Sequence, residues 1–322
     1  MVKRHIGIGI ALLFCTVGYG QSTDSLTKKL DSLSRRPDSA RAGNVIESKT
    51  YTPKTAINVP TYFILLGNDF KQQFTAPFHF SRRDWKRTGA FALALGALSF
   101  ADRPLQRVGL RLRNSSSRFR DISGFVTDFG ADYEVYTLLG LATYGFVFKH
   151  QKVKTTTLLA TQAYLTSLVV ESTLKTLTGR QRPSYIEPGR TDPRPLFHGP
   201  FYKGGPSRDR GVNSGFPSGH TTIAFAAATV YAMEYRNIRA IPLIAYGAAT
   251  LIGLSRISEN RHWITDVVAG AALGIASGRQ VVNNYHRYAG IKAPEKKRGG
   301  VRLSLLSGAG GLQPGIVYTF RE

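Results

Sequence analysis

KTLTGRQRP (residues 175–183), PSGH (217–220) and SRISENRHWITD (255–266) decide how this chain of 322 residues is read, because each run stands at the end of an apolar helical segment. Together they offer three cations (Lys175, Arg182, Arg256), two histidines (His220, His262), the carboxylate of Asp266, and a Ser218-Gly219 pair opening a helix. Arginine presents a planar donor fork that matches phosphate oxygens, and lysine adds a compact point charge. The PSGH run precedes the apolar TTIAF (221–225), so it falls at a helix N-terminus. Free backbone N–H groups and the positive dipole end favour an anion there, and glycine lets a phosphoryl group approach closely. His262 and Asp266 are spaced i, i+4. On a helix they share one face, and the carboxylate can accept a hydrogen bond from the imidazole, fixing its tautomer and freeing the other ring nitrogen as nucleophile or base. Singly, each residue is commonplace: a solvated charge, a turn, a decorated helix face. What outweighs that is their conjunction, in order, at helix ends, around one kind of chemistry.

The pattern K-x6-RP, PSGH, SR-x5-H-x3-D resembles the signature of the type 2 phosphatidic acid phosphatase (PAP2) and vanadium haloperoxidase superfamily, and every fixed position is present. With its supporting helices the resemblance covers about residues 85–285. It implies an all-α fold, a bundle of about six helices. It also implies that His262 attacks phosphorus to give a phosphohistidine, that Asp266 orients His262, and that His220 protonates the leaving alkoxide. Lys175, Arg182, Ser218, Gly219 and Arg256 would hold the phosphoryl oxygens, and neither metal nor other cofactor would be needed. The activity so implied is a metal-independent phosphatase acting on a lipid phosphate or pyrophosphate, of the phosphatidic acid or polyprenyl diphosphate type. The alternatives are a vanadate-dependent haloperoxidase, whose chains are usually much larger, a non-specific acid phosphatase of the same superfamily, and a non-catalytic envelope protein gripping anionic headgroups. Retention of both histidines argues against the last, since binding alone needs only the cations.

Composition agrees with an anionic partner. The chain is 42% hydrophobic with a formal net charge of +23, which suits a phosphorylated lipid or small phosphomonoester substrate and an anionic membrane surface. Nucleic acid is not expected, because no zinc spacing or nucleic-acid-binding motif is present. Six apolar segments, at about 88–101, 134–148, 156–174, 220–233, 240–254 and 264–278, read as helices from their alanine and leucine content. Residues 103–133 and 184–216 read as long arginine-rich irregular connections, the second a candidate lid or substrate-selecting loop beside the site.

The ends are of different character. Residues 1–20 have Lys3 and Arg4, an apolar run and small residues near Gly20, the plan of a secretory signal peptide cut before Gln21, which would remove Cys15, the one cysteine. Residues 21–60 read as a flexible polar linker, 61–87 as an amphipathic interface segment mixing aromatics with cations, 88–283 as the catalytic domain, and 284–322 as a basic linker and short C-terminal β-hairpin. Apolar segments of about 14 to 16 residues would be roughly 21 to 24 Å long, short of a hydrocarbon core of about 30 Å. Yet cations recur alternately at Arg82 and Arg87, Lys149 and Lys154, Arg236 and Arg239, and Arg279, the positive-inside pattern of six spans. A cleaved signal would invert that topology. The expectation is therefore an exported chain attached to an envelope membrane, facing the periplasmic or outer side, with a six-span inner-membrane enzyme as the alternative.

Overall fold

Alanine and leucine dominate the segments between the three runs, and in the computed structural model these segments are helical, as their propensities favour. The structure describes residues 26–30, 32, 48–128, 134–200 and 212–293, and the backbone of 300–308 and 311–319. The expected signal peptide and the packing of a C-terminal hairpin lie outside the described residues. Nine α-helices of 12 residues or more are present among the described residues, in place of about six. They are α1 Val59–Thr75, α2 Arg82–Leu98, α3 Asp102–Ser115, α4 Ser117–Asp128, α5 Glu134–Val147, α6 Gln151–Thr178, α7 Gly219–Glu234, α8 Ala240–Ser258 and α9 Ile264–Lys292. Strands β1 Gly300–Gly308 and β2 Gly311–Thr319 pair antiparallel, with Gly300 opposite Thr319.

At the centre, α7 packs against α6, α8 and α9. Leu159, Ala160 and Ala163 of α6, Ala226 and Val230 of α7, and Val281, Val282 and Tyr285 of α9 form the core. The contact of α7 with α9 is unusually close, because α9 meets it with glycines. A Cβ at Gly270 would lie 2.6 Å from the Ser218 carbonyl oxygen, one at Gly274 2.3 Å from that of Thr222, and one at Gly278 2.6 Å from that of Ala226. Only residues without a side chain let two helix backbones approach so far, and the repeat of four keeps the seam along one face of each helix. The N-termini of α7 and α9 are thereby held side by side.

Several sequence expectations need correction. The connection 103–133 is not irregular over its described part, residues 103–128, which belongs to α3 and α4. Arg103, Arg107 and Arg111 follow the i, i+4 spacing of one exposed helix face, while Asp102, Gln106 and Gly109 are buried, and α3 packs against α8. Reading arginine density as a loop overlooked that amphipathic period. The described part of the 21–60 linker is packed down rather than free. Leu30 and Ile57 are buried in the core, the Tyr51 hydroxyl donates to the Glu234 carboxylate, and the Tyr285 hydroxyl donates to the Thr50 carbonyl at 2.9 Å. A few isolated apolar side chains sufficed to anchor it, without the periodicity that sequence reading looks for.

The segment 61–87 divides into two unlike helices. α1 buries Leu65, Asn68 and Asp69 and packs on α6 and α9, whereas α2 has no buried residue along its 17 residues. Large apolar side chains are exposed on α2, just after it and on α8: Leu93 is 78% exposed, Phe100 87%, and Leu243 of α8 76%. Helix length was also underestimated from apolar runs alone. α6 has 28 residues and α9 has 29, roughly 42 and 44 Å at 1.5 Å per residue, because both helices continue through polar turns. Among the described residues, one helix, Ala240–Ser258, is both long and apolar enough to cross a membrane.

Candidate active site

The antiparallel run of α6, α7, α8 and α9 brings the C-terminal ends of α6 and α8 to the N-terminal ends of α7 and α9, and these four ends carry the three runs. Lys175 is in the last turn of α6. Gly179, in the left-handed conformation at φ 53°, then ends that helix, and a Cβ there would lie 2.5 Å from the Gly199 carbonyl oxygen. Ser218 is the N-cap residue of α7, with Gly219 and His220 as its first helical residues. Arg256 is in the last turn of α8, and its carbonyl accepts from the backbone N–H of His262 at 3.2 Å, folding the turn that leads into α9. The Ser218 N–H donates to the Asp266 carbonyl at 3.0 Å, so the PSGH run is fastened to α9 directly. All eight residues singled out in the sequence thus stand at one end of the bundle.

His262 is buried, and its surroundings differ from the expected pairing. Its Nδ1 lies 2.7 Å from the Gly215 carbonyl oxygen and 3.6 Å from Asp266 Oδ2. A carbonyl can only accept, so Nδ1 carries the proton and Nε2 keeps its lone pair. The hydrogen-bond partner that sets the tautomer is therefore main chain, with the Asp266 carboxylate a near neighbour. Burial and the charges of Arg182, Arg256 and Lys175 hold the His262 imidazole well below its ordinary pKa, against the opposing effect of the Gly215 carbonyl. The ring is neutral, as a nucleophilic nitrogen must be.

Asp266 is engaged elsewhere. Its Oδ1 accepts from Arg180 Nη1 at 2.5 Å and its Oδ2 from the Trp263 N–H at 2.8 Å. Arg180 also donates through Nη2 to Asp102 Oδ2 at 2.6 Å and through Nη1 to Thr265 Oγ1 at 2.6 Å, and its guanidinium lies 4.7 Å from the centre of the Phe197 ring. Thr265 donates its backbone N–H to Asp102 Oδ1 at 3.1 Å. A buried arginine held between two buried carboxylates and the Thr265 hydroxyl is geometrically fixed, which makes it a support for the histidine turn. Sequence reading missed Arg180, Asp102 and Gly215. The first stood inside the K-x6-RP gap as an unassigned position, the second lies 163 positions from Thr265, and the third acts through its backbone.

The cations face the same space. Arg182 donates through Nη2 to Ser214 Oγ at 3.0 Å, and its N–H reaches the Val212 carbonyl at 2.8 Å. Burial, and then the cationic charges of Arg256, Lys175 and Arg182, push the pKa of the partly exposed His220 down to about 3, and Ser218 Oγ accepts from Thr221 Oγ1 at 2.9 Å. The connection 184–216 was expected to be a lid or selecting loop. Its described ends are instead fastened to the site: the Gln181 N–H donates to Leu196, the His198 N–H to Gly179, and the Gly215 N–H to Arg180. It supplies the carbonyl that holds His262, so its described part is scaffold.

Residues 156–289 match the model of the PAP2 superfamily. The chain is similar to the lipid A 1-phosphatase of Porphyromonas gingivalis, 48% identical over 64 residues, which are 20% of this chain and 14% of that protein. It is also similar to the probable diacylglycerol pyrophosphate phosphatase 1 of Schizosaccharomyces pombe, 31% identical over 123 residues, 33% of this chain and 44% of that protein. The chain thus spans less than half the length of either curated relative. Among solved structures, LpxE of Aquifex aeolicus aligns with a TM-score of 0.41 at 26% identity, over 56% of this chain and 93% of that one.

Proposed function

We propose that the chain, whose residues 156–289 match the PAP2 superfamily model, is a metal-independent phosphatase of lipid phosphates, of the phosphatidic acid or polyprenyl diphosphate type, working through a phosphohistidine. The observation that carries this reading is the single cluster formed by a buried neutral His262, its Nδ1 tied to the Gly215 carbonyl, with three cations around it. In this assignment the phosphoryl oxygens are held by Lys175, Arg182, Arg256, the Ser218 hydroxyl and the N-terminal amides of α7 at Gly219. Those groups supply the positive charge that spreads over the equatorial oxygens as the transition state develops.

His262 Nε2 attacks phosphorus and the bond to the alkoxide oxygen breaks, while His220, protonated once the bound phosphoryl anion offsets the cations around it, gives that oxygen its proton and the alcohol leaves. Water then attacks the phosphohistidine, giving its proton to His220 and releasing inorganic phosphate, with His262 restored. Asp266, beside His262, offsets the charge that the ring takes on. The C-terminal strand pair is read as an appendage to this catalytic bundle.

Attachment to an envelope membrane is supported by the exposed apolar surface of α2 and α8 and by the polarity of the bundle. Lys149, Lys152, Lys154, Arg236 and Arg239 stand at the opposite end of α6, α7 and α8 from the candidate site, as they would if the site faced the outer side.

The test is release of phosphate from phosphatidic acid by the purified, detergent-solubilised protein in excess EDTA, with vanadate as a competitive inhibitor, and retention of the protein in carbonate-washed membranes. A requirement for added metal, or no release from any lipid or small phosphomonoester, would overturn the proposal. His220→Ala is expected to slow alkyl phosphates by about 10² to 10⁴, the usual contribution of a positioned acid, and to spare activated aryl phosphates, whose leaving groups need no proton. Equal losses on both substrates would remove His220 from the acid's role.

A further inference from the structure

One carboxylate in the cage has no part in that mechanism. Glu171 lies one turn before Lys175 on α6, is 2% exposed, and ion-pairs through Oε1 with Lys175 Nζ. Its other oxygen accepts from the Ser172 hydroxyl at 3.2 Å. The same Oε1 would be 2.5 Å from a Cβ at Gly219, and Lys175 Nζ would be 3.2 Å from it. The carboxylate therefore sits against the first helical residue of α7, where the N-cap Ser218 side chain makes no capping hydrogen bond. Two groups assigned to phosphate, the Lys175 ammonium and the α7 N-terminus, already have an anion beside them.

We propose that Glu171 is a fixed internal anion that lowers the affinity of the cage for inorganic phosphate and so speeds product release, an inference that rests on the phosphatase reading above. Three cations and a helix N-terminus hold a free phosphate dianion strongly, and a product that stays bound limits turnover. A carboxylate beside the Lys175 ammonium and the α7 N-terminus weakens the hold of both groups on substrate and product alike. The lipid substrate keeps its apolar contacts, whereas the product has only the cage. Gly219 is what admits this arrangement, since any side chain there would displace the carboxylate.

Glu171→Gln keeps the shape and removes the charge. The inhibition constant of inorganic phosphate is expected to fall about 10- to 100-fold, as follows from deleting one charge near another at an effective dielectric constant of about 20. The value of kcat should fall with it, while kcat/KM for phosphatidic acid holds or rises. If the carboxylate only positions Lys175, the phosphate constant will rise or stay unchanged in Glu171→Gln, and that result overturns the inference. Calorimetric titration of both proteins with phosphate separates the two levels. Binding by the unaltered protein with an equal constant in the variant sinks the role of Glu171 alone, and no binding by the unaltered protein sinks the phosphatase reading as well.

Discussion

His262→Ala is expected to lower phosphatase turnover by about 10⁴ to 10⁶, the scale on which removing a covalent nucleophile acts. The protein should still fold and bind phosphate, because Lys175, Arg182, Arg256 and the α7 N-terminus remain. Rapid acid quenching with radiolabelled substrate should trap an acid-labile, base-stable phosphoenzyme in the unaltered protein and none in the variant. A phosphohistidine of equal yield in His262→Ala would disprove the assignment. The pH profile carries the same assignment further. A histidine of ordinary environment protonates at about pH 6.5. Burial and three neighbouring cations push the His262 pKa down, so the ring stays neutral and reactive below that value. The acid limb of kcat/KM should accordingly lie well under pH 6.5. A limb at or above 6.5 that belongs to the nucleophile would contradict the geometry.

Asp266→Asn is expected to lower turnover by about 10³ to 10⁴, comparable to the effect of the same change beside the histidine of a serine protease. The mechanism of loss is different here. Asp266 accepts from Arg180 on one oxygen and from the Trp263 N–H on the other, while the His262 proton goes to Gly215. An amide in that place must turn its NH₂ towards one of two donors, and it leaves the buried Arg180 guanidinium with Asp102 as its one carboxylate. Breaking a buried ion pair costs about 3 to 5 kcal/mol, so a lowered melting temperature should accompany the lost rate. Kinetics and thermal denaturation on the same preparation check both. An unchanged rate would place Asp266 outside the reaction, and an unchanged melting temperature would show that its tie to Arg180 adds no stability.

What was legible in the sequence was side-chain chemistry at fixed spacing. The eight candidate residues are named by their types and intervals, and helix-end placement followed from the apolar segments that flank them. The supports of the site were not legible, because each depends on a property that residue type does not display. Gly215 offers a carbonyl, which every residue has. Asp102 opens an amphipathic helix whose arginines hid its period, and Arg180 takes its meaning from two carboxylates remote in sequence. The helical bundle itself was legible in outline, but its helices were undercounted where few apolar residues mark them. α3 and α4 are held by one buried face, and the chain before α1 by Leu30, Tyr51 and Ile57. The G-x3-G-x3-G run at Gly270, Gly274 and Gly278 stood in plain view, inside a segment read as merely apolar.

That run separates the chemistry from its surroundings. Interfaces built of interlocking side chains breathe as rotamers exchange, and their spacing follows temperature, detergent and lateral pressure. Where α7 meets α9 at these three positions, Cα faces carbonyl, and a glycine has no rotamer to exchange. The spacing of the helix ends that carry His220 and His262 is thus a property of backbone dimensions, while the apolar outer surface is left to adapt to whatever medium surrounds it.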